Sequence, residues 1–302
     1  MATATYNLPL SDEPDTVLRH YYGLAGVDFA NSPSQVATNR SPDAANVYKN
    51  YLSTNGQAIE TRPGTVNLGS VGETVYGIHF LDDVCLIHHG TTLSTWDTFP
   101  SAIASSADLT ELYTGMNAGK SVSFLFGGKL YLLDGTQYLV YDGTSVAEVA
   151  DSATIPITRI ASDPDGANGE EYQEINLLSS FRETTFVADG TSTAYYLDAQ
   201  GLDDASIHTI QAWIDDTLMT EGSGFSVDRT NGIVTFSTAP SVPTTTGEAN
   251  VRIRFSKTVS GNKERITECT IAETYDNRVF FAGNGDYPAS MFHCELDDPA
   301  YF

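Results

Sequence analysis

The chain has 302 residues, with 15 Lys and Arg against 39 Asp and Glu, for a formal net charge of −24. It lacks the cations that would displace counterions from a nucleic-acid backbone or hold an anionic membrane surface, which excludes both as primary partners. Charged residues are only 18% of the chain while Tyr and Phe number 16 and 14. That aromatic content is foreign to disordered acidic chains, and the wealth of Tyr, Phe, Thr, Val and Gly points to an all-β fold.

The first residues, Met1-Ala2-Thr3-Ala4-Thr5-Tyr6-Asn7, have no positive region and no apolar stretch, so no signal peptide is read there. No apolar run reaches the length of a membrane span, and a soluble protein made in the cytoplasm is expected. Residues 1–74 are rich in Asn, Ser, Pro and Gly and poor in periodicity, the pattern of an extended N-terminal arm or clasp ordered by what it packs on. One short helix is predicted there over 42–52, with Ser41 as cap and Pro42 in the first turn.

From Val75 short apolar runs alternate with tight-turn dipeptides. Strands are predicted at 75–81, 84–88 and 92–96, and again at 122–126, 130–133, 138–141 and 145–149. Asp82-Asp83, Gly127-Gly128, Asp134-Gly135 and Asp142-Gly143 separate them, supplying the positive φ that two-residue hairpins need. The stretch starting at Phe80 aligns with that starting at Phe126, an offset near 46, and Trp96-Asp97 aligns with Tyr141-Asp142. A third copy starts at Tyr275-Asp276-Asn277-Arg278 and continues at Ser290. A unit recurring every 40–50 residues has the period of a propeller blade. Propeller-like β-meander blades are therefore expected over 75–167 and 259–302. The gap between them, 168–258, reads as an inserted β-sandwich module with seven strands between 180 and 258, marked by the hairpin signal Asn231-Gly232.

No motif for catalysis or metal binding holds. Cys85, Cys269 and Cys294 are odd in number and widely spaced, and are read as buried small hydrophobes on strands. His88 and His89 are neighbours on a strand and face opposite ways, one inward and one solvated, so they cannot chelate one ion together. Asp163-Pro164-Asp165-Gly166 with Asn168, Glu170 and Glu171 has part of a calcium loop but the wrong register, and is read as an acidic linker. The pairs Asp82-Asp83, Asp203-Asp204, Asp215-Asp216 and Asp297-Asp298 are read as solvated turns, not glycosidase carboxylates. Trp96, Tyr131, Tyr138 and Tyr141 would make a sugar platform if exposed, and are assigned to the core.

Three segments carry a resemblance: 26–35 followed by Arg40-Ser41-Pro42-Asp43-Ala44-Ala45-Asn46; then Arg62-Pro63-Gly64; and the run Gly283-Asn284-Gly285-Asp286-Tyr287-Pro288 leading to Asp298-Pro299-Ala300-Tyr301-Phe302. The chain resembles bacteriophage tail or head–tail proteins of the nozzle, stopper or DNA-stabilisation type, and its insertion is similar to a module common in phage tail proteins. The resemblance implies a non-enzymatic virion protein without cofactor or metal, forming a homo-oligomeric ring with other tail, portal or connector proteins, DNA being at most passing cargo. Arg40, Arg62, Pro63 and Gly64 become candidate assembly contacts, the arginines by bidentate pairing and Pro-Gly by a tight turn. The acidic charge would line the conduit or keep the subunit soluble. Blades in that family continue further, so an incomplete propeller is expected, and the aromatic end either docks on a partner or marks a cut chain. A host-glycan adhesion module is the alternative reading.

Overall fold

A computed structural model describes residues 25–28, 30–44, 47–50, 58–62, 64–105 and 108–302. The chain divides into two compact units, 1–67 and 68–302. The arm expected to run to residue 74 thus ends earlier, because Leu68 accepts a backbone hydrogen bond from Ile103 (2.7 Å) and Val71 packs on a core of the second unit.

In the first unit the helix predicted over 42–52 is replaced by a strand. β1 (Val47–Asn50) pairs antiparallel with β2 (Ala58–Thr61), Val47 opposite Thr61. Val47 and Tyr48 suit a pleated surface better than a helix. The Ser41 hydroxyl donates to the Asp43 carbonyl (2.7 Å), so it does not cap a helix. The remainder of that prediction, Ala45, Asn46, Tyr51 and Leu52, lies outside the described residues.

The second unit is all-β apart from short helical turns. β3 (Val75–Leu81), β4 (Val84–His89), β5 (Thr92–Trp96) and β6 (Leu109–Thr114) form one antiparallel meander. A second comprises β7 (Val122–Phe126), β8 (Lys129–Leu133), β9 (Tyr138–Tyr141) and β10 (Val146–Glu148). The turns justify the dipeptides: Asp82 takes φ 50°, and Gly127 and Gly128 take 55° and 75°. Asp82 and Gly127 are the equivalent positions, so the repeat offset is 45 (82 to 127), one less than the sequence alignment, and Trp96 and Tyr141 keep it.

The insertion contains all seven predicted strands and recruits two more. β11 (Ile157–Ser162) and β12 (Glu170–Glu171) precede β13 (Phe181–Phe186), β14 (Ala194–Tyr196), β15 (Gln211–Ile214), β16 (Thr217–Met219), β17 (Phe225–Asp228), β18 (Ile233–Phe236) and β19 (Val251–Ser256). Six make one sheet, ordered β12-β11-β13-β19-β15-β16, and β14-β18-β17 make the facing one. Between them lie Phe186, Tyr195, Phe225, Phe236 and Phe255. The module's sheet therefore starts at Ile157, inside the range 75–167 expected for blades, because β11 pairs in parallel with β13. The acidic segment 163–169 is the turn between β11 and β12, with the Asp163 carboxylate accepting from the Asn168 amide (2.7 Å).

After the insertion, α1 (Asn262–Thr267) leads into a third meander of β20 (Ile271–Tyr275), β21 (Arg278–Ala282) and β22 (Met291–His293). The three meanders form layers, because successive residues of a strand face opposite ways. Leu86 and Leu93 of the first share a core with Leu130, Leu132 and Leu139 of the second. From its other face, the second sends Tyr131, Leu133 and Tyr138 into a core with Val279 and Phe281 of the third. Trp96, Tyr131, Tyr138 and Tyr141 are all buried, as core assignment requires. The aromatic end docks on this same body: Phe302 stacks on Phe281 (ring centroids 4.9 Å apart), and the Tyr138 hydroxyl donates to Pro299 O (3.0 Å).

Phe281 touches Phe124, Tyr138 and Phe302 and is fully buried. Phe281→Ala is expected to cost about 3–5 kcal/mol, whereas Met291→Ala on the exposed face of the same sheet should change stability by less than about 0.5 kcal/mol. Urea denaturation of both variants checks this.

Candidate functional site

The first strands of the three meanders, β3, β7 and β20, border one groove of about 490 Å³, lined among others by Tyr76, His79, Lys120, Ser121, Ser123 and Thr270. Its chemistry is a chain of neutral hydrogen bonds. Ser121 Oγ lies 2.8 Å from His79 Nε2 and 3.0 Å from His88 Nδ1, and Ser123 Oγ lies 2.8 Å from His79 Nδ1. His79, His88 and Ser121 are buried.

A neutral imidazole has one N–H and one acceptor, and a hydroxyl has one proton. Two opposite orders make all three bonds: Ser123 O–H to His79 Nδ1, His79 Nε2–H to Ser121 and Ser121 O–H to His88 Nδ1, or the same chain with every donor and acceptor exchanged. In either order His88 Nε2 has no hydrogen-bond partner among the described residues. Burial, and secondarily the neighbouring His88, lowers the His79 pKa to about 4. Burial likewise lowers that of His88, opposed mainly by the charge of Asp134. Both rings are therefore neutral at pH 7, and the set joins β3 and β4 to the start of β7. Among the described residues no carboxylate hydrogen-bonds either ring. His89, on the opposite face of β4, meets Ser94 Oγ (3.1 Å) and Glu73 (3.4 Å), and is largely buried where a solvated ring was expected.

A second polar cluster lies on the module's larger sheet. Glu183 on β13, almost fully buried, accepts from Arg254 Nε at 2.7 Å and pairs with Arg254 Nη2 at 2.6 Å and Arg252 at 3.5 Å. Arg252 sits over the Trp213 ring, 4.1 Å from its centroid. The ladder makes these meetings inevitable, since Arg254 is opposite Glu183 and Gln211, and Arg252 is opposite Thr185 and Trp213. Beside Trp213 is a cleft of about 330 Å³ lined by Asp215, Asp216, Glu248, Asn250 and Arg252.

The candidate assembly residues are not gathered into a site. Arg40, Arg62 and Gly64 are exposed, neither arginine has an ion pair among the described residues, and Pro63 lies outside them. The three cysteines are free and buried, and only Cys85 is on a strand. Burial pushes the Cys269 thiol up to about 11 and raises those of Cys85 and Cys294, so none is a reactive thiolate. Among the described residues no group of His, Cys, Asp and Glu could hold a metal ion, and no helix is long and apolar enough to cross a membrane.

Sequence reasoning missed His79, Ser121 and Ser123, which come together over more than 40 residues of chain, and Trp213 with Glu183. The pattern Val251-Arg252-Ile253-Arg254-Phe255 was the available signal for the latter, two arginines on one face of a strand. No family model, curated protein or solved structure matches this chain.

The His79 pKa predicts a pH dependence. A histidine whose folded pKa lies below its ordinary 6.5 favours the folded state when neutral, so its contribution is complete above pH 6.5 and is lost as pH falls from 6.5 towards 4. The loss should be about 3 kcal/mol across that range. Comparing urea midpoints of the parent chain and His79→Gln at pH 7.5 and pH 4.5 checks it: the gap between them should narrow or reverse at the lower pH.

Proposed function

We propose that this chain is a non-enzymatic structural component of a phage tail or head–tail junction, its meanders acting as propeller-like blades in a homo-oligomeric ring that DNA passes. One observation carries the assembly reading. Each layer of the meander stack buries an apolar face on the next, yet the outer face of β20–β22 leaves Ile271, Tyr275 and Met291 58%, 73% and 63% exposed. Apolar side chains aligned on one sheet face suit an interface between subunits. The motifs around Arg40, Arg62 and Gly64 support the phage context, and these exposed residues are free to meet a neighbour.

The groove bordered by β3, β7 and β20 includes Lys120 and no carboxylate in its lining. Acidic residues sit instead at turns such as Asp82-Asp83, Asp215-Asp216 and Asp276-Asn277. This distribution favours acidity as a means of keeping an abundant subunit soluble over acidity as a conduit wall.

Light scattering at two protein concentrations tests the ring: a mass several times that of one chain, stable on dilution, is expected. Deleting residues 1–65 should keep the melting transition of the body, which has its own cores, and abolish assembly; a deletion variant that still assembles would remove the arm from the interface.

The cleft beside Trp213 favours a second reading, glycan adhesion, because an aromatic ring flanked by carboxylates and an amide suits a polyhydroxylated ligand. A glycan array checks it: adhesion predicts a specific hit that Trp213→Ala removes, and scaffolding predicts none.

A further inference from the structure

The third meander has three strands where the first and second have four. In those two, the third strand is covered by a fourth, β6 on β5 and β10 on β9. Beside β22, the third strand of its meander, there is instead a groove of about 990 Å³. Met291, Phe292 and His293 all line it. Consecutive strand residues point to opposite faces, so a groove lined by all three runs along the strand's edge. Cys294 N–H donates to Val279 O (3.0 Å) just beyond the ladder. The alternation of an antiparallel pair then directs the N–H and C=O of Met291 and His293 outward. Among the described residues, no backbone group outside the ladder bonds to them.

The rest of the groove suits an extended chain. Tyr172 and Met291, both 63% exposed, and the exposed Val259 offer apolar surface. Arg265 also lines it; its guanidinium lies 5.1 Å from the Tyr287 ring, its Nε is buried without a partner, and no carboxylate pairs with it among the described residues. Of the lining carboxylates, Glu295 is held by Arg278 (3.1 Å), while Glu174 disfavours a strongly acidic occupant. Arg265 is thus a half-buried cation with no paired carboxylate among the described residues, and it lines the groove.

We propose that this groove binds an extended segment of a partner polypeptide, which adds to β22 as a fourth strand, lays alternate apolar side chains over Tyr172 and Met291, and places one carboxylate on Arg265. An unpaired edge gains main-chain hydrogen bonds by such addition, and the pockets for alternate side chains give it selectivity. The inference does not rest on the phage reading, though it shares Met291 with the sheet face proposed there as a subunit interface, and it is tested on the isolated full chain.

The probe is a labelled eight-residue peptide of alternating valine and threonine with one valine replaced by glutamate, followed by fluorescence anisotropy and by hydrogen exchange at Met291 and His293. Saturable binding that slows exchange of both amides is expected. Arg265→Gln should weaken the glutamate peptide about tenfold and leave a glutamine version unchanged. His293→Pro removes one outward N–H at an edge position that tolerates proline, and should abolish binding. Because that variant can also disturb folding, a backbone N-methylated peptide provides the same loss with the parent protein intact. Equal binding of the methylated peptide, or unchanged exchange at both amides with peptide at 1 mM (about a thousandfold above a micromolar Kd), overturns the proposal. Self-association that protects those amides before peptide is added also overturns it, giving the groove to a second copy.

Discussion

The second meander packs an apolar core against each of its faces, and the body of the protein depends on it. Leu130, Leu132 and Leu139 face the first meander, and Tyr131, Leu133 and Tyr138 face the third. A sheet that is apolar on both sides loses the usual guard on register, because a one-residue slip exchanges one buried side chain for another. Turn chemistry supplies the guard instead. Gly127 and Gly128 both take positive φ, a geometry that fixes the β7–β8 hairpin at two residues. Asp134, buried at the next turn, accepts from the backbone N–H groups of Asn117, Thr136 and Gln137 at 2.7–2.9 Å. One carboxylate therefore ties the β8–β9 turn to the segment that leads out of the first meander.

Polar side chains enter this apolar body in sets that largely satisfy one another. Ser121 serves two imidazoles and Ser123 completes the first of them; Glu183 serves two arginines. Such sets cost little while whole and much when one member is removed. Neither is arranged as a nucleophile with a carboxylate-oriented base. Among the described residues seven buried side-chain atoms have no hydrogen-bond partner, His88 Nε2 and the Nε atoms of Arg159, Arg229 and Arg265 among them, and of these seven residues Arg265 alone lines the large groove beside β22.

The strands were legible wherever a turn dipeptide bounded a short apolar run. β3, β5, β7 and β9 have the predicted bounds, and all seven predicted strands of the insertion are present, because positive-φ residues and period-2 alternation are both local signals. β6 was not, since Leu109–Thr114 follows a long connection and alternates weakly between half-buried and exposed residues. β11 was also hidden, as parallel pairing with β13 leaves no hairpin signature. The helix read over 42–52 rested on a cap and a proline alone, with no apolar stripe to bury, and the strand at Val47–Asn50 took its place. The His79–Ser121–His88 set was beyond reach for a different reason. Its members are ordinary polar residues in their own segments, and only the stacking of two sheets makes them neighbours.

Phe181 and Ser256, the first residue of β13 and the last of β19, are directly opposite each other in the ladder. The chain therefore departs into most of the inserted module and returns from it within one strand spacing, about 5 Å. To the surrounding meanders, some 75 residues behave as a loop whose ends are already closed, so exchanging them for a shorter or longer module alters the closure entropy by well under about 1 kcal/mol. The host body and its appendage can thus diverge at different rates, the first held by shared cores and the second free to acquire whatever surface its surroundings select.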